Sequence, residues 1–275
     1  MTFSATGVTV EFEDRMVLRD VTVTVPPGSI IAVVGGDGAG KTTLLGCFAG
    51  LVRPTRGAVD APDKTMLGYM PSTSGTWRDL TVNENLDLVE RVFGLDRAAT
   101  TPRRARLLAK AGLEHAQDRL ARQLSGGMRQ KLGFCLAILH EPTLLVLDEP
   151  STGVDAVSRL ELWQLISDEA AAGASVLMAT TYLDEAERAS QVLVLDEGVA
   201  LAAGPPREIV ANEAPRITAV DRPERPELAW RRGRTFHEWQ PGTDPVRGTP
   251  AAVDLEDAVI AAILRASLGQ EETKP

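Results

Sequence analysis

An α/β fold with a largely parallel sheet is what the residue pattern predicts, and three observations carry it. Ile30–Val34, Leu144–Leu147 and Ser175–Met178 are short, continuous apolar runs, the mark of strands covered on both faces. A stretch of helical periodicity, Ser158 to Ala172, separates the second run from the third. The first run leads into a glycine-rich turn, Gly35–Gly40, and then into a helix from Thr42 to Leu51, closed by Gly50 and Pro54.

The remaining elements follow in order. Residues 8–34 read as short strands, with Val21–Val25 alternating at period two and Pro26-Pro-Gly28 ending it. Val192–Leu195 is a further buried-strand candidate. From about Thr81 to Ala137 the pattern is helical: Val82–Phe93, Arg103–Ala111 and Met128–Leu139. This predicts a helical subdomain inserted between core strands. After Asn212 the chain turns rich in Pro and Arg, with a weak strand signal at Arg234–Trp239 and a final amphipathic helix from Asp254, its cap, to Ser267. We divide the chain into residues 1–212, with the helical subdomain at about 72–139, and a small C-terminal extension, 213–275, with a regulatory or dimerising role. Arg231, Arg232 and Arg234 in that extension read as a solvated face.

Composition limits the function. The 275 residues are 44% hydrophobic, 24% charged and 4% aromatic, so one medium domain with an aliphatic core plus an appendage is expected. A net charge of −9 argues against a nucleic-acid partner, which needs a basic face. Cys47 and Cys135 carry no metal-ligand spacing and read as buried, reduced thiols of a cytosolic protein. The N-terminus lacks the basic and apolar regions of a signal peptide, and no apolar run approaches the roughly 18 residues that span a bilayer. A membrane role must therefore come through a partner.

Gly35, Gly36, Asp37, Gly38, Ala39, Gly40, Lys41, Thr42 and Thr43 satisfy G-x-x-x-x-G-K-[ST] between a strand and a helix. Glycines let backbone N–H groups turn around a phosphate, and the following helix aims its positive end at the same place. Lys41 is expected on the β- and γ-phosphates and the Thr42 hydroxyl on Mg²⁺. The strand Leu144–Leu147 ends in Asp148 and Glu149. Asp148 is placed to hold Mg²⁺ through water and Glu149 to act as general base; the alternative is an acidic pair facing solvent. Leu124-Ser-Gly-Gly-Met128 opens another helix, so Ser125, Gly126 and Gly127 form a second anion site of the helix-start kind.

These motifs, in this order, resemble the ABC ATPase family across roughly residues 1–212: a Walker A segment at 35–42, the signature LSGGM at 124–128, a Walker B strand at 144–149 and a D-loop-like Ser151–Asp155. The resemblance implies a P-loop NTPase (RecA-like) core, a mainly parallel sheet with an N-terminal antiparallel β subdomain and the inserted helical subdomain, binding ATP and Mg²⁺. It also implies a head-to-tail pair in which Ser125, Gly126 and Gly127 face the ATP of the other subunit. Phe12 falls where the family stacks an aromatic on adenine; simple strand packing is the other reading. Leu67–Pro71, Asp79–Leu86, Met128–Leu132 and Tyr182–Glu187 look like the ABC-2-type, multidrug (daunorubicin-type) exporter branch. The segments Gly35–Gly38 and Tyr182–Glu187 are most similar to the first half of tandem-domain exporter ATPases.

Two family positions are missing. Ser72 stands where the family has Gln, and Thr181 where it has His. The expectation is therefore an ATPase subunit at the cytoplasmic face of the cell membrane that energises a multi-span permease. It pairs with a second ABC ATPase subunit, as a homodimer or, preferred, as the degenerate member of a heterodimer with weak hydrolysis at its own site. A soluble ABC ATPase without a permease, acting on ribosomes or DNA, is the competing class. By the same analogy residues 72–94 dock the permease, with Trp77 and Leu80 as an apolar contact or as ordinary packing. His140 reads as a non-catalytic residue at a helix end.

Overall fold

The computed structural model describes residues 1–13, 15–242 and 246–271. The chain runs β1 (Phe3–Phe12), β2 (Arg15–Val25), β3 (Ile30–Val34), α1 (Lys41–Phe48), β4 (Arg56–Asp60), β5 (Leu67–Met70), α2 (Val82–Val92), α3 (Arg97–Lys110), α4 (Gly126–Ile138), β6 (Leu144–Asp148), α5 (Ala156–Ala171) and β7 (Ser175–Ala179). It continues through α6 (Leu183–Ala186), β8 (Gln191–Asp196), β9 (Val199–Gly204), α7 (Pro206–Glu213), β10 (Ile217–Val220), β11 (Ala229–Arg232), β12 (Thr235–Trp239), β13 (Thr249–Pro250) and α8 (Leu255–Glu271).

The central sheet has the order β5-β6-β7-β3-β8-β9. Its first five strands are parallel and β9 returns antiparallel to β8. Every residue of β3, β6 and β7 is buried, which is why these strands read as unbroken apolar runs. Alternation still sorts their side chains. Ile30, Ala32 and Val34 enter a core shared with α4, α5 and the helical segments, whereas Ile31 and Val33 face a second core with α1. That second core is closed by an antiparallel sheet, β2-β1-β4, through Phe3, Val8, Val10, Leu18 and Val21. The architecture is the mixed α/β layer fold that the sequence predicts, including the N-terminal antiparallel subdomain.

In the helical segment, α2 opens on a reciprocal cap. Thr81 Oγ1 accepts from Glu84 N at 3.1 Å, and Glu84 Oε2 accepts from Thr81 N at 2.7 Å. Helix α3 begins six residues earlier than the sequence suggests, because Asp96 caps Ala98 N at 2.9 Å and the helix continues through Pro102.

The C-terminal extension is more ordered than its composition implies. Four short strands form a sheet in the order β11-β12-β10-β13. Helix α8 starts on a mutual clasp: Asp257 N donates to Asp254 Oδ1 at 3.0 Å, and Asp254 N donates to Asp257 Oδ2 at 3.1 Å. Leu255, Ala258 and Val259 of this helix belong to the main core, while Ala261 packs with Ile217, Leu228 and Trp239 of the small sheet. One helix therefore stitches the extension onto the body.

Arg232 corrects the expectation of a solvated basic face. It ion-pairs with Asp254, Glu256 and the fully buried Asp257, whose carboxylate also accepts Trp230 Nε1 at 2.7 Å and lies 3.1 Å from His237 Nδ1. Burial pushes the Asp257 carboxyl up, but Arg232, Trp230 and the Asp254 N–H outweigh it and hold the group down at about 2. The stability it contributes is thus present above the ordinary carboxylate range and lost as pH falls through about 2. Asp257→Asn should lower unfolding free energy at pH 7 by about 3 kcal/mol, because a buried partner of Arg232 loses its charge. In urea titrations the gap to the parent chain should close as pH drops from about 4 toward 2.

Candidate functional site

The loop between β3 and α1 is held between two pieces of backbone. A Cβ at Gly35, where φ is +153°, would stand 2.1 Å from Leu195 O; one at Gly40, φ +102°, would meet Leu18 at 2.6 Å and Val17 O at 2.9 Å. Only glycine fits at either place. The loop cannot retreat into the body, so it bows outward over the start of α1. That helix has Gly40 at its N-cap and no side-chain cap, which leaves its first N–H groups free to meet an anion.

Around this helix start lies a cleft of about 350 Å³, lined by Phe12, Arg15, Val17, Asp37–Thr43 and Glu149. Lys41, nearly buried, folds back to donate from Nζ to Gly35 O at 2.8 Å and Gly36 O at 3.0 Å, and lies 3.9 Å from Glu149 Oε1. Thr42 Oγ1 donates to the Asp148 carboxylate at 3.0–3.2 Å. The two acidic residues therefore do not face bulk solvent as a plain strand-end pair. Asp148 is 2% exposed, and burial raises its pKa against the opposing hydrogen bond from Thr42. Glu149 sits at φ +48°, a strained setting for a residue with a Cβ, and accepts Thr152 Oγ1 at 3.0 Å. A hydroxyl and a carboxylate converging on one point, beside an uncapped helix start and a lysine, suit a hard cation bridging to phosphate oxygens. The residues present thus fit Mg²⁺ and a triphosphate.

Phe12 is half-exposed at the tip of the β1–β2 hairpin and lines this cleft instead of the core. Arg15 and Val17 line it too; they belong to no motif, and only the hairpin's geometry brings them there. Ser125, Gly126 and Gly127 do not line the cleft. Ser125 caps α4, accepting Met128 N at 3.2 Å. Ser72 and Thr181 are both exposed.

A model of the ABC transporter family matches residues 18–152. The probable multidrug ABC transporter ATP-binding protein YbhF of Escherichia coli is 40% identical over 220 residues, 76% of this chain but 38% of that protein. The Nod factor export ATP-binding protein I of Cupriavidus metallidurans is 35% identical over 213 residues, 74% of this chain and 70% of that one. A solved ATP-binding subunit of an ABC transporter superposes with a TM-score of 0.71 at 29% identity, covering 77% of this chain and 93% of its own. The chain belongs to the ABC transporter ATP-binding family. It spans about two fifths of the length of the YbhF protein it matches.

Within this ABC ATPase domain, the loops around Ser72 and Thr181 are fastened by their neighbours. Behind Ser72, Ser74 is buried at φ +70° and its carbonyl packs against Gly133 of α4, where a Cβ would approach to 2.2 Å; Gln130 Nε2 reaches Ser72 O at 3.5 Å. Beside Thr181, Thr180 Oγ1 donates to the buried Glu185 at 2.7 Å and accepts from Tyr182 N at 3.0 Å. Arg159 covers the Tyr182 ring at 4.3 Å and pairs with Asp184 at 3.2 Å. His140 is stacked on Phe93 and bonded to Leu67 O at 3.0 Å, with its pKa lowered by burial. It is a packing residue of the β5–α4 junction. Cys47 and Cys135 are free and buried, and burial raises their pKa values to about 11 and 12, so both stay protonated thiols. Among the described residues no helix is long and apolar enough to cross a membrane.

Two outcomes follow from the packing. Gly35→Ala should lower the thermal midpoint markedly, since the methyl must displace the Leu195 backbone. Asp148→Asn should do the reverse by a few degrees. A carboxyl whose folded pKa is raised keeps its proton to higher pH than the unfolded chain, so its contribution to stability falls as pH rises through that window. The amide escapes that cost and can still accept from Thr42. Calorimetry at pH 7 on the nucleotide-free chain checks both.

Proposed function

We propose that this chain is the ATP-binding and hydrolysing subunit of an ABC exporter, working at the cytoplasmic face of the cell membrane through a separate multi-span permease. The convergence of Lys41, Thr42, Asp148 and Glu149 on an uncapped helix start carries this reading. Lys41 exchanges the Gly35 and Gly36 carbonyls for the β- and γ-phosphates of ATP. The N–H groups of Gly38–Thr43 wrap the β-phosphate, and Phe12 stacks on the base. Thr42 and Asp148 would hold Mg²⁺, which would supply positive charge beside the phosphates. Glu149 accepts a proton from water as its oxygen bonds to the γ-phosphorus; the bond to the bridging oxygen breaks, leaving ADP and phosphate.

Ser125 serves a neighbouring subunit's ATP. A hydroxyl accepts and donates at once, so Ser125 can keep its bond from Met128 N while donating to a γ-phosphate in trans. Half-exposed Trp77 marks the permease-docking face; Asn85, fully buried, holds its loop through the Trp77, Leu80 and Thr81 carbonyls. With Ser72 and Thr181 in place of Gln and His, neither side chain offers an amide to position water or an imidazole to reach the γ-phosphate. Loss of such a group costs about 10²–10⁴ in rate. The preferred assembly is therefore asymmetric, this chain paired with a second ATPase subunit that has both residues.

Lys41→Ala should abolish binding of a fluorescent ATP analogue. The isolated chain should turn ATP over slowly, and Thr181→His should raise that rate in a phosphate-release assay if the missing imidazole limits it. Family-like turnover by a homodimer, unchanged by adding a partner ATPase, would rule the asymmetry out.

A further inference from the structure

A second cleft, of about 710 Å³, lies in the C-terminal extension, apart from the nucleotide cleft, and is built to present cations. Arg216, Arg222, Arg225 and Arg247 line it, against Glu224 and Glu238. Glu238 is 4% exposed, and its two oxygens are spent on the N–H groups of Glu224, at 3.1 Å, and Arg225, at 2.9 Å. That clamp fixes one rim, the loop that carries Arg222 and Arg225. Gln240 clamps the other. Its Oε1 accepts Arg247 N at 3.0 Å, and its Nε2 donates to Arg247 O at 2.6 Å and to Thr218 Oγ1 at 3.0 Å. Arg216 braces the wall by donating to Gln240 O at 2.7 Å and Pro241 O at 2.9 Å.

The guanidinium groups of Arg222, Arg225 and Arg247 have no hydrogen-bond or ion-pair partner among the described residues. This contrasts with Arg232 of the same small sheet, which is paired three times over. Three unneutralised forks on two pinned loops, in a protein of net charge −9, concentrate positive potential where the rest of the surface repels anions. Guanidinium pairs bidentately with phosphate and carboxylate, and the volume is that of a small-molecule site.

We propose that this cleft binds a multiply charged oxyanion, a phosphate-bearing small molecule or the phosphate of an anionic lipid headgroup, held by Arg222, Arg225 and Arg247. Helix α8 links the small sheet to the main core through Leu255, Ala258 and Val259, so occupancy of the cleft has a packed route to the ATPase body.

The test compares three full-length proteins: the parent, Arg222→Gln/Arg225→Gln/Arg247→Gln, and a control with the same charge change on exposed arginines elsewhere, Arg53→Gln/Arg106→Gln/Arg207→Gln. Each is titrated calorimetrically with inorganic pyrophosphate on a Lys41→Ala background, which disables the phosphate loop, and sedimented with phosphatidylglycerol vesicles. Fluorescent-nucleotide binding on the Lys41 background checks that the cleft substitutions leave the other site intact. The expected result is pyrophosphate affinity down roughly tenfold or more in the cleft variant and unchanged in the control. If only vesicle binding falls, again in the cleft variant alone, the occupant is a lipid headgroup. Equal binding by all three proteins in both arms, or equal loss in cleft variant and control, overturns the proposal.

Discussion

The start of α1 has to remain uncapped, and much else in the molecule is arranged to keep it so. An ordinary helix would satisfy its first N–H groups with a serine or aspartate at the N-cap. Here Gly40 takes that place, and its lack of a Cβ is enforced by Leu18 and Val17 behind it, as that of Gly35 is by Leu195. Strands β2 and β8 thus form the back wall of the phosphate loop as well as parts of their own sheets. The consequence is a cluster of unmet donors beside a lysine whose ammonium, among the described residues, bonds to backbone carbonyls and lies 3.9 Å from a carboxylate. Next to it in the site, the buried Asp148 offsets its desolvation only in part, through the Thr42 hydroxyl and the nearby Lys41 charge. Each group is poorly served by the protein alone, and a metal-bound triphosphate would complete them all.

The same economy of partners separates the two arginine environments of the extension. Arg232 sits over Asp257 because α8 must be anchored, and the buried carboxylate would be prohibitive without it. Arg222, Arg225 and Arg247 are set on loops whose backbone, not side chains, is tied down by Glu238 and Gln240. Polar side chains whose hydrogen bonds are all met in this way rigidify what they hold, so the three arginines are carried on fixed backbone.

The parallel core was legible because burial on both faces leaves an unmistakable run of apolar residues, as in β3, β6 and β7. The phosphate loop was legible because its chemistry demands fixed residue types at fixed intervals. The extension was legible only in part: the strand signal at Arg234–Trp239 and the helix from Asp254 correspond to β12 and α8, whereas β10, β11 and β13 were not foreseen. Strands β10 and β11 are four residues each, with two buried residues in the first and none in the second, so neither alternation nor an apolar run is long enough to register. Arg232 failed for a related reason. A basic residue in a polar stretch reads as solvated unless its acidic partners are near in sequence, and Asp254 and Asp257 arrive more than twenty residues later on another element. Arg15 and Val17 at the nucleotide cleft show the same limit, since a hairpin places them there without any pattern.

At Ser72 and Thr181, where the resemblance leads one to expect Gln and His, the adjoining loops are fastened by their neighbours. Thr180, Glu185, Tyr182 and Arg159 tie the segment after β7 to the start of α5, the helix capped by Asp155 of the D-loop-like segment. Ser74 and Gly133 press the segment after β5 onto α4, which Ser125 opens. Contacts of this kind hold the D-loop-like segment and the start of α4 in fixed positions, as a surface offered to a neighbour's nucleotide requires. On the asymmetric reading, these contacts are what a subunit keeps when its own hydrolysis matters less than the surface it offers in trans.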